Sequence, residues 1–178
     1  MSTTYFSWTF PLDPDATVPA ANEINDLMRR VSDDYVCEFI ASRGDWFAWT
    51  LVRMAREFGI STLDFFEGAP DERRVVGDDG GKWGFKLLNF NDIESTQVSI
   101  ATLLGKVQGQ IDLLVPFFRG SRWGDAEIRG LIAEPVSNSD DEGIGPGFFF
   151  ETLHGLAGVL RNAQTHGQVV AHVRVLHH

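Results

Sequence analysis

The 178-residue chain has a single cysteine, Cys37. That excludes an intramolecular disulfide and a Cys-rich zinc site, and it fits a reducing compartment. Long apolar runs are missing too, since no stretch approaches the ~18 residues that a bilayer span requires. Residues 1–11 contain no basic residue, so they read as neither a secretory signal nor an anchor, and a cytoplasmic location is expected. Positive charge is also scarce. Fifteen Lys and Arg stand against 25 Asp and Glu, a formal charge of −10. Such a balance disfavours nonspecific contact with phosphate backbones or anionic membranes and favours encounter with a basic partner.

What the chain does have is apolar and aromatic bulk. Hydrophobic residues make up 43% and charged residues 22%, an ordinary globular composition outside the disordered regime. Fourteen Phe and five Trp are unusual, and they are expected to fill a core between helices and a sheet. A single domain is expected over residues 1–178, because half this length would bury little apolar surface. Within it, residues 1–66 form an N-terminal elaboration. The charged, Gly-rich stretch 67–81 is a surface loop, and 82–178 is the main α+β part.

Periodicity supplies the elements. Residues 4–10 read as an aromatic strand closed by Pro11, and a helix opened by Pro19 carries Ile24, Leu27, Met28 and Val31 on one face. Residues 35–41 alternate as a strand. Asp45 caps a helix with Phe47, Leu51, Met54, Ala55 and Phe58 on its stripe, and Gly59 stops it. Residues 60–66 read as extended. Residues 82–90 alternate, with Trp83, Phe85 and Leu87 on one side and Lys82 and Lys86 on the other. Val98, Ala101, Leu104, Val107, Ile111, Leu114 and Phe118 make a long helical stripe ending near Pro116. Gly105 and Gly109 weaken this helix and are expected to allow close packing on the sheet.

Asp125–Ala133 reads as a strand with Ile128, Gly130 and Ile132 inward and Glu127 and Arg129 outward. An acidic loop, 137–147, follows. Phe149, Leu153, Leu156, Leu160 and Ala163 define a last helix, with 147–150 as a candidate short strand before it. Val169, Ala171, Val173 and Val175 alternate inward along a last strand. This order predicts a ferredoxin-like open sheet with helices packed on one face and the other face free to bind.

Catalytic and metal signatures are weak. The run from Val76 to Trp83 misses the glycine and hydroxyl positions of a phosphate loop, and Gly120-Ser121-Arg122-Trp123-Gly124 misses the spacing of a nucleophile elbow. Arg43-Gly44-Asp45 is explained by Asp45 as a helix cap. The five histidines, His154, His166, His172, His177 and His178, lie in the last 25 residues but lack the helical pairing of a zinc site, so neither a metal nor a cofactor is expected. One grouping stands out. If the C-terminal strands share a sheet, alternation places Lys86, Arg129, His172 and Arg174 together on its outer face as a cationic patch. Asp140, Asp141 and Glu142 add an acidic loop as a second candidate contact for a partner.

The Trp83 strand, the long helix after it, the 126–133 strand, and Gly147-Phe-Phe-Phe-Glu-Thr-Leu-His-Gly-Leu-Ala157 leading into 169–176 resemble an uncharacterised bacterial family of ferredoxin-like domains. Members of that family occur among candidate immunity proteins of bacterial toxin systems. The resemblance spans about half the chain, residues 82–176, and carries no functional motif. It implies the fold and, for the role, an immunity protein that neutralises a basic toxin by occlusion. Two other readings belong to different classes. One is a hydrolase-like enzyme with a site assembled from separated residues such as Asp125, Glu151 and His154. The other is a homodimeric module pairing through its open sheet.

Overall fold

The computed structural model describes residues 4–17, 23, 26, 37–41, 46–66, 75–76, 82–107, 109–119, 123–133 and 146–177. The fold is α+β, with a five-stranded sheet joined to a layer of helices. Strands β1 (Thr4–Leu12), β2 (Cys37–Ala41), β3 (Val75–Val76), β4 (Lys82–Leu88) and β5 (Val169–His177) lie in the order β2-β1-β5-β4-β3. Each neighbouring pair is antiparallel. The short β3 falls inside the stretch expected to be a surface loop. No residue of the 137–145 loop is described, so Asp140, Asp141 and Glu142 lie outside the described residues.

Pairing partners share a side of the sheet, so the register sorts the side chains. Thr9, Lys86 and His172 fall on one side, together with Leu88 and Val170. Leu88 and Val170 belong to the core formed by the helices, so this side faces the helical layer. Phe10, Phe85, Ala171 and Val173 occupy the opposite side and are buried as well. The expected open face is therefore absent at the centre of the sheet. The positions expected to point inward, Phe85, Ala171 and Val173, are buried, but Lys86 and His172, expected to point outward, lie on the side that faces the described helices. Two-residue alternation separates the faces of a strand without saying which one the helices cover.

Among the described residues the continuous helices are α1 (Trp46–Glu57), α2 (Phe90–Val107), α3 (Ile111–Phe118), α4 (Asp125–Ala133) and α5 (Pro146–Thr165), with a 3-10 turn at Thr62–Phe66 after α1; Glu23 and Asp26 are helical too, and the rest of the helix expected after Pro19 lies outside the described residues. Helices α1 and α5 end in the same way. Gly59 and Gly167 adopt φ of 72° and 66°, Ile60 N–H donates to the Ala55 carbonyl at 2.9 Å, and Gln168 N–H donates to that of Ala163 at 2.9 Å. These bonds satisfy carbonyls that the helix ends would otherwise leave open, in a conformation that favours glycine. The stop expected at Gly59 is present. Aromatic rings join three helices, with centroids 5.2 Å apart for Phe47 and Phe149 and 5.6 Å apart for Phe118 and Phe149. Phe150 closes on Phe149 at 5.3 Å. Four of the fourteen phenylalanines thus pack between α1, α3 and α5.

Several expectations are corrected. Asp125–Ala133 is helix α4 rather than a strand. Its apolar Ile128 and Ile132 satisfy a helical spacing of four as well as an alternation of two, and the Glu127 carboxylate accepts the Gly124 N–H at 2.8 Å, capping the first turn. Residues 62–66 form a 3-10 turn rather than extended chain, and 147–150 are the first turns of α5. The long helix breaks into α2 and α3, which meet at a 107° bend. The buried stripe of α2 is Ile93, Thr96, Ile100, Leu103 and Val107, whereas Val98 is 60% exposed and Leu104 is only partly buried. Gly105 and Gly109 have open space where a side chain would stand, so close packing does not account for them.

Candidate functional site

Two clusters concentrate polar and aromatic chemistry. The first is buried beneath the 3-10 turn. β5 carries His172 to the middle of the sheet, 1% exposed, where its Nδ1 lies 3.0 Å from the hydroxyl of the fully buried Thr9 on β1. The ring of Phe66 meets the imidazole edge-on at 5.4 Å, and that of Phe65 lies 6.1 Å away. Lys86, the β4 register partner of His172, is half-buried; its ammonium donates to the Phe65 carbonyl at 2.9 Å and sits 5.5 Å from the Phe65 ring. The turn itself is tied down on two sides. Asp64 accepts from Arg56 of α1 at 3.0 Å, and the Thr62 hydroxyl bonds that of Ser99 on α2.

A hydroxyl beside an imidazole is the pairing that nucleophilic catalysis uses, but such chemistry needs a path for the reacting group. Among the described residues, Thr9 and His172 are buried at 0% and 1% exposure, which gives a reacting group no such path. Their bond instead satisfies two buried polar groups in the sheet, which is a structural task.

The second cluster is exposed, on the side of α1 turned away from the core. Arg53 stacks on Trp49, four residues earlier on α1, with its guanidinium carbon 4.3 Å from the ring centroid. The same group lies 5.5 Å from the ring of Phe117 on α3. Trp49 is 49% exposed, as is 48% of Leu113, one turn before Phe117 on α3. Leu113 also lines an open groove of about 810 Å³ between the α2–α3 corner at 109–113 and Arg129, Gly130 and Ala133 of α4. Asp112 and Arg129 form an ion pair between the walls of this groove.

The predicted cationic patch is therefore not one surface. Lys86 and His172 lie under the 3-10 turn, Arg129 belongs to a helix and pairs with Asp112, and the side chain of Arg174 lies outside the described residues. Alternation grouped Lys86 with His172 correctly; the misread strand at Asp125–Ala133 brought in Arg129. Asp125 pairs with Arg119 at 3.1 Å, while Glu151 and His154 are exposed on α5. Among the described residues, no group of three or more His, Cys, Asp or Glu is placed to hold a metal ion.

Sequence reasoning passed over Trp49 and Arg53. The signal was available: both fall off the Phe47, Leu51, Met54 stripe, at the i, i+4 spacing that stacks side chains on a helix. Among the described residues, no single helix is long and apolar enough to cross a membrane. In comparisons with protein-family models, with curated proteins and with solved structures, nothing matches the chain.

Proposed function

We propose that the protein acts by binding a basic protein partner, in the manner of an immunity protein that occludes a basic toxin. The observation that carries this reading is the formal charge of −10. A charge of that size accelerates encounter with a cationic surface and disfavours nucleic acid and anionic membranes. The α1–α3 surface supplies what the field alone lacks, a set of large side chains for short-range contact. Trp49 and Arg53 are of the types that concentrate binding energy at interfaces. The resemblance of residues 82–176 to the immunity-associated family adds support, although its pattern placed a strand where α4 lies.

The test uses the source cell. The full chain, immobilised, should retain a protein of high isoelectric point at low salt. The association rate of that purified protein should fall steeply as ionic strength rises, because the Debye length shrinks to about 8 Å at physiological salt. A rate indifferent to salt, or a retained partner that is itself acidic, would remove this reading.

A further inference from the structure

We infer that Trp49, Arg53 and Phe117 form a receptor for one carboxylate of a protein partner, presented beside an apolar side chain that rests on Leu113. This deepens the proposed partner binding and depends on it. Among the described residues, no carboxylate pairs with Arg53, although the protein carries ten more acids than bases and Glu57 lies one helical turn away. Arg56, Arg119 and Arg129 each have an acidic partner. The Arg53 guanidinium instead lies over the Trp49 ring at 4.3 Å and 5.5 Å from that of Phe117.

Arg53 is exposed, and a guanidinium stacked on a ring keeps its N–H donors, along its edge, in its own plane, away from that ring. That edge matches a carboxylate in a two-bonded fork. The half-exposed Trp49 lies against the guanidinium, and the half-exposed Leu113 stands one turn before Phe117 on α3, so apolar surface adjoins such a bond.

Charge sets the rest of the partner's chemistry. A strongly acidic segment would be repelled by the surplus of −10, so the occupant is a segment whose single carboxylate stands among apolar and basic residues. A second copy of this chain fits poorly, since two such charges oppose one another.

The experiment is selection of a displayed random-peptide library on the full chain. The selected peptides should share one Asp or Glu next to an aromatic or aliphatic residue, without further acids. A synthetic copy should lose about tenfold in affinity against Arg53→Lys, which keeps the charge but loses the planar fork, and a similar factor against Trp49→Ala. Replacing the peptide's Glu by Gln should cost as much against the wild type and little more against Arg53→Lys. Both positions are exposed, so unchanged thermal melts certify the folded variants. Peptides without an acid, affinity unaltered by Arg53→Lys, or an empty selection would each overturn the inference. Peptides that bind through another surface would do so while leaving the wider binding proposal intact, because that proposal stands or falls on the salt dependence of the natural partner.

Discussion

The junction around His172 and the surface around Arg53 use the same materials, nitrogen bases against aromatic rings, in opposite settings. Under the 3-10 turn, Lys86 spends its ammonium on the Phe65 carbonyl, and His172 is enclosed by Thr9, Phe65 and Phe66. On α1, Arg53 lies across Trp49 and Phe117 at the solvent boundary. Buried polar groups need their hydrogen bonds met inside the protein, so the first arrangement contributes to stability and uniqueness of the sheet. Exposed groups have water as an alternative and contribute little to folding, which leaves the second free to serve a partner. The same residue types therefore predict different phenotypes, unfolding in one place and lost binding in the other.

The largest difference in stability between the two regions is expected in the aromatic core. Phe149→Ala should lower stability by about 3–5 kcal/mol in urea melts, because it opens a cavity where α1, α3 and α5 meet. Trp49→Ala should remain within about 0.5 kcal/mol of the wild type despite removing a larger ring. Equal losses would mean that Trp49 is part of the core and that the α1 surface is misassigned.

A smaller effect probes the buried junction. Thr9→Val keeps the shape but takes the hydroxyl from His172 Nδ1, and should cost about 1–3 kcal/mol, measured as a shift in denaturation midpoint. Arg53→Ala should leave that midpoint nearly unchanged. A neutral Thr9→Val would show that the bond contributes no net stability to the sheet.

Glycines sharpen the contrast between constrained and unconstrained backbone. Gly105→Ala should stabilise by about 0.5–1 kcal/mol, since it lies inside α2 with open space beside it. Gly59→Ala should destabilise by about 1 kcal/mol, because its φ of 72° disfavours a side chain. Thermal melts showing the same sign for both would contradict the helix ends described here.

Much of the architecture was legible in the sequence. The stripe and glycine stop of α1, the β4 and β5 alternations and the Phe149-to-Ala163 stripe rest on apolar spacings long enough to be unambiguous. Asp125–Ala133 was not, because nine residues with two isoleucines four apart satisfy both periods. Its helical nature depended on a cap from Glu127 to Gly124 that spacing alone understates. In α2, two stripes offset along the helix both fit spacings of three and four, and tertiary contact chose the one through Ile100 and Leu103. The candidate surface was harder still. The i, i+4 spacing of Trp49 and Arg53 is a local signal, but the part played by Phe117 emerges only when α3 sets it beside the guanidinium.

Partner binding is expected at the α1–α3 surface and not at the His172 junction. Hydroxyl-radical footprinting of the full chain, with and without the basic partner retained from the source cell, tests it most directly. Trp49, Leu113 and Phe117 should be protected in the complex, with oxidation of Phe65 and Phe66 unchanged. Protection confined to the 3-10 turn at Thr62–Phe66, with Trp49 oxidised as readily as in the free protein, would contradict it.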